Sequence, residues 1–552
     1  MQKQIIVLKF GSSVLRDERD LPTAVHEIYR WWRKGFQVVA VVSAFGDTTN
    51  ELTRRAHSVC EEPGDTLVAA LLATGEAASS ALLGLALSRA GVPASVLDAE
   101  QAGLVTDGPI LDADLVSVDA ASLHKALRKG VVVLPGFVGK DPSGQTTLLG
   151  RGGSDLTALF LAQRLGGVCR LIKDVDGLYT SDPNAGTSTA RYARVSYATA
   201  ARVGGAVVQR KAIEFAERHR LKFFVSSVAA CCATEVGSYA DSIAVSEFAS
   251  EPLRVALLGC GTVGGGVYER LTALTEFFEV AGVGTRKTGR LEALLEGHVD
   301  VVVELLGGEE PARTLITKAL RLGRNVVTAN KALLATDIAR LQTLAGNSGA
   351  TLKYSAAVGG VLPALEAIRR ARSSGPLHSI SGVLNATTNF ILDQLAGGCS
   401  LSDALVTAKE CGYAERDLQL DLDGTDAAQK LILLARAAFD VDLPLSSIQK
   451  RGIENLSKKN GRITRLVAEC RRESDGFAAT VSPVELPHDH PLAPVNGIEN
   501  RLLIQSHCGK RWEISGHGAG RWPTTEAVLA DLFDLRRELI SHETAAEQEC
   551  VA

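Results

Sequence analysis

Residues 254–267 read R-V-A-L-L-G-C-G-T-V-G-G-G-V and sit at the midpoint of the 552-residue chain. Val255–Leu258 are a short apolar run, as expected of a strand buried in a parallel sheet. Gly259, Gly261 and Gly264 then follow as G-x-G-x-x-G, and Val267, Leu271 and Leu274 continue at helical spacing. Glycines in that frame permit a tight turn and bring a pyrophosphate close to backbone N–H groups at a helix N-terminus. A bare glycine motif also fits a structural turn. The strand before it and the amphipathic run after it favour a dinucleotide site lined by Gly259, Gly261, Thr262, Val263 and Gly264. Such a unit usually opens a domain, so the chain reads as two enzymes joined head to tail.

Composition agrees with α/β domains: 46% hydrophobic, 22% charged, rich in glycine and poor in aromatics. A net charge of −4 gives no reason to expect nucleic acid. No apolar run suggests a membrane span and MQKQIIVLKF lacks a signal-peptide pattern, so the expected location is the cytoplasm. The ten cysteines are scattered without a C-x-x-C pair and read as reduced thiols.

In the first half, the strand Ile5–Leu8 runs into Lys9-Phe10-Gly11-Ser12-Ser13, where small residues admit an anion and an ammonium neutralises it; a surface lysine beside a turn fits equally. Val38–Val42 lead to Ser43-Ala44-Phe45-Gly46, and Thr74-Gly75-Glu76 lie in a helical run. Val131–Leu134 precede Gly136-Phe137-Val138-Gly139. The densest segment is 146–155, TTLLGRGGSD, just before a helix over 156–165; Arg151 can fork a carboxylate, and Asp155 is either a site residue or a plain N-cap. Strand 171–172 then enters the loop KDVDGLYTSDP, 173–183. Strands alternating with helices imply a three-layer α/β domain.

KFGSS, VVSAFGDTTNEL, LLATGE, GFVG, TTLLGRGGSD and KDVDGLYTSDPN, in this order, resemble the amino-acid kinase family, specifically aspartokinases. The resemblance implies that Lys9 neutralises the transferring phosphoryl group and that Asp155 orients lysine and substrate. It gives Glu76 the substrate ammonium, Arg151 the α-carboxylate, and Ser43 a place in the same site. Lys9, Gly11, Lys173, Asp174, Tyr179 and Asp182 would hold ATP with magnesium. The family's G-A-K motif reads Gly205-Ala206-Val207-Val208-Gln209-Arg210-Lys211 here, so Lys211 is a displaced candidate. Residues 228–252 are small and polar and read as a linker. Aspartokinases usually continue at this point with two ACT-type regulatory modules, for which this stretch has no room; the expectation is that threonine and lysine do not inhibit allosterically.

In the second half, the second strand of the dinucleotide unit ends in Thr285-Arg286-Lys287, where an acid would bind a ribose hydroxyl. Basic residues there suit a 2′-phosphate, favouring NADP(H) over NAD(H); two solvated charges fit as well. Strand 299–305 ends at Gly307-Gly308, and strand 325–328 is followed by Ala329-Asn330-Lys331 at the edge where ligands bind. Asp426 and Lys430 are spaced i, i+4 behind the acidic stretch 415–423: a surface ion pair, or a buried polar site given the apolar residues that follow.

LGCGTVGGGV, VVVELLGG, VTANKALLA, GVLNATTNFIL, GYAERDLQLDLDGTDAAQK and the late GHGAGRWPT resemble homoserine dehydrogenases over about 252–540. The resemblance implies that Lys331 and Lys430 flank the reacting carbon and move its proton, and that Glu415, Asp421 and Asp426 bind substrate. Gly307, Lys331 and Gly520 would join the cofactor site as the 516–524 loop closes over it. A monovalent cation (Na⁺ or K⁺) on the carbonyls of Val358, Gly360 and Leu362 is put in doubt by Ser355, where the family often has glutamate.

The expected organisation is an amino-acid-kinase three-layer α/β domain at 1–227, a linker at 228–252, and a Rossmann NAD(P) domain at 253–375. An α+β catalytic and dimerisation domain follows at 376–515, and 516–552 return to the nucleotide domain. The expected activities are phosphorylation of L-aspartate by ATP and NAD(P)H-dependent reduction of aspartate 4-semialdehyde to L-homoserine, in a homodimer or higher homo-oligomer. The alternative is a homoserine dehydrogenase with a degenerate, structural kinase-like domain.

Overall fold

Ile5–Phe10 is buried at every position, which requires a strand covered on both faces. It pairs in parallel with Gln37–Val42 on one side and Val168–Ile172 on the other. In the computed structural model the described residues are 3–181, 189–205, 207–244, 251–289, 291–411, 413, 418–454, 456, 463–518 and 520–551, with backbone only from 542. The chain forms two units, Met1–Ala249 with Glu543–Ala552, and Ser250–His542.

The first unit is built on a nine-stranded sheet. Its parallel centre runs Phe223–Ser226, Val168–Ile172, Ile5–Phe10, Gln37–Val42, Val131–Pro135, Ala94–Val96. Helices cover it: Gly153–Leu165 is buried along most of its length, and Asp65–Arg89 buries Val68, Leu72, Glu76, Leu83 and Leu87 at helical spacing. Gly84 lets that second helix lie close to the sheet, since a Cβ there would fall 2.3 Å from Val96 Cγ2.

Three expectations are corrected. Residues 228–252 are not only a linker: Thr234–Gly237 and Ser242–Ile243 are strands of the first sheet, with Val236 paired to Phe223. Small, polar residues hid them because strands this short, near the end of a sheet, need little apolar pattern. The reading that no run suits a membrane overlooked Asp65–Arg89, which is long and apolar enough by length and composition. Its apolar character comes from packing one face on the sheet while alanines and the exposed Leu67 and Leu85 occupy the other, so the usual charged stripe is missing. Lys9 also belongs to its strand rather than to the following loop.

The second unit holds a five-stranded parallel sheet in the order Phe278–Gly284, Leu253–Leu258, Val301–Glu304, Asn325–Thr328, Leu352–Lys353. The chain reverses direction across the sheet between the second and third of these, leaving a crevice at their carboxyl ends. Residues from 377 build a six-stranded, mainly antiparallel sheet. The helices Ala364–Arg372, Ala386–Ala396 and Thr425–Phe439 pack on it. One continuous apolar core joins both layers.

Candidate active sites

In the first unit the parallel register sets Lys9 opposite Leu171, so Lys9 and Lys173 leave neighbouring strands at the same edge. The first turn of the Gly153–Leu165 helix brings Asp155 between them. Lys9 Nζ lies 2.9 Å from Asp155 Oδ1, and Lys173 Nζ donates to Oδ2 at 2.9 Å. All three side chains are buried. Asp155 is therefore not the N-cap; Gly152 is, at φ 80°, without a side-chain cap bond. Burial alone would raise the Asp155 carboxyl, but the two ammoniums outweigh it and hold it below its usual range. Burial, with Lys9 beside it, brings Lys173 down to about 8.

Glu76 projects from the buried face of its helix, and burial pushes its carboxyl up to about 8 against the Ala44 N–H and the Lys9 charge. Glu76 Oε2 has no hydrogen-bond partner among the described residues. Ser43 is half-buried at the end of the adjacent strand, its N–H donating to Phe10 O at 3.1 Å. A Cβ at Gly11 would lie 2.9 Å from Lys9 Nζ, so glycine there leaves the lysine room. Arg151 and Asp174 are exposed, and Tyr179 OH donates to Asp176 at 2.6 Å. Lys211 is committed to Asp112 and to the carbonyls of Ala113 and Leu149 rather than to Asp155. Asp182 lies outside the described residues.

In the second unit, the G-x-G-x-x-G turn sits at the crevice. A Cβ on Gly259 (φ 100°) would lie 2.5 Å from Leu305 O, and one on Gly264 1.9 Å from Gly259 O. Gly261 and Gly307 face open space. Gly261 is the N-cap of Thr262–Ala273, and Thr262 and Val263 form its first turn, whose N–H groups have no intrahelical acceptor. This open cradle fits a dinucleotide's pyrophosphate. Gly266 admits Thr525 from the Arg521–Val551 helix, bringing Gly520 and Arg521 beside the cradle, with Arg521 paired to Glu269 at 2.9 Å. Arg286 and Lys287 are exposed at the end of their strand, and Arg286 Nη2 donates to Gly307 O at 2.6 Å.

The second cluster centres on Asp426. Lys331, first residue of the Lys331–Ser348 helix, reaches its Oδ1 at 3.1 Å, and Lys430 its Oδ2 at 2.8 Å. Lys430 also donates to Leu384 O at 2.7 Å, a carbonyl shared with Asn500 Nδ2 at 3.1 Å. Burial would raise the Asp426 carboxyl; Lys430 and Lys331 reverse this and hold it far below its usual range. Asp421 moves the other way, raised by burial and by the neighbouring Asp426 charge. The i, i+4 pair is thus a buried polar site and not a surface ion pair. Glu415 lies outside the described residues.

Sequence reading missed Asn385. Its Nδ2 donates to Asp421 at 2.6 Å and Asp426 at 2.8 Å, while its Oδ1 caps the Ala386–Ala396 helix through Thr388 N. An asparagine preceding a helix signals the cap; nothing in sequence tells where the remaining amide points. For the cation loop, Val358 is buried, Gly360 stands at φ 56°, and Leu362 O accepts from Ala364 N at 2.8 Å. Ser355 Oγ donates to Glu366 at 3.1 Å.

Topology and the glycine cradle together give the second unit the architecture of a nicotinamide-dinucleotide-binding dehydrogenase. Residues 4–227 match the amino acid kinase family, 259–355 the NAD-binding domain of homoserine dehydrogenase, and 363–533 homoserine dehydrogenase itself. The homoserine dehydrogenase of Pseudomonas aeruginosa is 34% identical over 320 residues, spanning 53% of this chain and 74% of that protein. That of Corynebacterium glutamicum is 34% identical over 324 residues, with 52% and 72% covered. The Lactococcus lactis enzyme is 39% identical over 249 residues, and there the match spans 44% of this chain and 58% of the relative. The chain belongs to the homoserine dehydrogenase family, with an amino acid kinase domain ahead of it as in bifunctional aspartokinase/homoserine dehydrogenases.

Proposed function

We propose that the second unit reduces L-aspartate 4-semialdehyde to L-homoserine with NAD(P)H, and that the first phosphorylates the β-carboxylate of L-aspartate from ATP. The observation that carries the first reading is Asp426 bracketed by Lys331 and Lys430. Bound in the glycine cradle, the nicotinamide cofactor supplies the hydride. Lys331, the more exposed of the two lysines at 38% against 9%, is placed to give a proton to the carbonyl oxygen as it gains charge. Lys430, fixed by Asp426 and Leu384 O, stabilises the same oxygen electrostatically. Asp421, tethered by Asn385, and Glu415 would hold the substrate's ammonium. Arg286 and Lys287 support a preference for NADP(H).

For the kinase reading, Lys9 and Lys173 present two positive charges where a transferring phosphoryl group gathers negative charge, and Asp155 fixes both. Glu76 is the buried carboxyl for the aspartate ammonium, whose positive charge would draw off its proton, and Arg151 is the partner for the aspartate carboxylate. Magnesium would accompany ATP. A degenerate kinase domain is the competing reading, favoured by the commitment of Lys211 elsewhere. The purified chain is assayed separately for both reactions, with NADPH and with NADH. Absence of semialdehyde reduction refutes the first reading; absence of phosphorylation alone selects the competing one.

A further inference from the structure

Glu304 ends the third strand of the dinucleotide unit, directly opposite Leu258 in the strand that leads into the glycine turn. It is wholly buried, and among the described residues no lysine or arginine is one of its hydrogen-bond partners. Both carboxylate oxygens are used. Oε1 accepts from Leu306 N at 2.8 Å, Gly307 N at 3.3 Å and Asn330 Nδ2 at 3.4 Å; Oε2 accepts from Thr328 Oγ1 at 2.7 Å. A buried acid is costly unless its oxygens are satisfied, and a satisfied buried network holds the segments it joins in one arrangement.

Its partners lie on two segments with different tasks. Leu306 and Gly307 belong to the loop that faces the cofactor cradle, whose Leu305 N donates to Leu258 O at 2.7 Å. Thr328 and Asn330 belong to the turn that launches Lys331. Asn330 closes the circuit: its Nδ2 also donates to Gly308 O at 2.6 Å, its N–H to Thr328 Oγ1 at 3.0 Å, and its Oδ1 caps the Lys331 helix through Leu333 N at 3.2 Å. One carboxylate and one amide therefore join the cofactor loop to the start of the helix that carries Lys331.

We propose that Glu304 is a positioning residue which, through Asn330, locks the Leu305–Gly308 loop to the Lys331 helix, so that cofactor binding and placement of Lys331 are set together. The proposal rests on the dehydrogenase reading above. The test is a double-mutant cycle of Glu304→Ala and Asn330→Ala in the full chain, with Glu304→Gln as the conservative variant. NADPH affinity is read by fluorescence without substrate, kcat and KM by semialdehyde reduction, and folding by the thermal midpoint. Each alanine variant is expected to weaken NADPH binding and to lower kcat by about 10- to 100-fold, with KM for semialdehyde little changed. The double variant should lose little more than the worse single one, because both break the same circuit. Glutamine keeps an acceptor for the loop amides and should restore affinity and kcat to within about threefold. Losses that multiply in the double variant overturn the proposal. So does a Glu304→Ala enzyme whose melting point falls while affinity and kcat do not, or a glutamine variant as impaired as alanine. A wild-type chain that binds NADPH but reduces no semialdehyde overturns the dehydrogenase reading instead, and the affinity cycle then decides the linkage alone.

Discussion

Replacing Asp426 with asparagine removes a single negative charge from between two ammoniums. The carboxylate faces Lys430 at 2.8 Å, Lys331 at 3.1 Å and the Asn385 amide at 2.8 Å. Lys430 is buried, and in the variant its charge keeps, among the described residues, the Leu384 carbonyl and at most the neutral amide oxygen of the new asparagine. Removing one partner of a buried pair costs about 3–5 kcal/mol. The Lys331 half is 38% exposed and screened, so it adds only a few tenths to about 1 kcal/mol. Spent on misplacing the two lysines at the reacting carbonyl, about 3–5 kcal/mol lowers kcat/KM on the order of 10²- to 10⁴-fold. The assay is loss of NADPH absorbance with aspartate semialdehyde, alongside NADPH affinity and thermal unfolding. NADPH affinity should fall far less than kcat/KM, because among the described residues Asp426 pairs with the two lysines and Asn385 and with none of the cradle glycines. The sign with pH is also set: a carboxyl held below its ordinary value adds stability above that value and loses it as pH falls. The stability gap between wild type and Asp426→Asn should therefore shrink towards acid. A variant with kcat/KM within about threefold of wild type and an unchanged melting point would refute the assignment of Asp426.

Glu76, raised to about 8, keeps its proton in the folded state where the unfolded chain has lost it, so it makes stability fall as pH rises from about 4.5 to about 8. Glu76→Gln should flatten that slope in thermal melts across this range while abolishing aspartate phosphorylation; an unchanged slope contradicts the buried, protonated carboxyl. Lys9→Ala and Asp155→Asn should each lower the kinase rate by about 10²-fold or more and leave semialdehyde reduction intact, checked by running both assays on the same preparations. Arg286→Ala should weaken NADPH more than NADH; an unchanged ratio of the two kcat/KM values means the loop does not read the 2′-phosphate.

The local pieces of this protein were legible in order. The apolar run Val255–Leu258, the glycine spacing after it and the strand Asn325–Thr328 before Lys331 all follow from patterns a few residues long, because parallel strands buried on both faces must be continuously apolar. Asp426 and Lys430 share a helix face by spacing alone. What spacing left open was which of two environments each charged residue meets. Asp155 fits an N-cap as well as a site until the register of Ile5–Phe10 against Val168–Ile172 sets Lys9 and Lys173 on either side of it. The strands inside 228–252 carry too little pattern to be seen and form because a sheet with open edges offers them unpaired backbone groups. Asn385, Glu304 and Asn330 reach partners 22 to 41 positions away. Side-chain hydrogen bonds over such separations depend on where helices and strands come to rest, and the sequence by itself determines the elements while only their packing decides which polar groups meet.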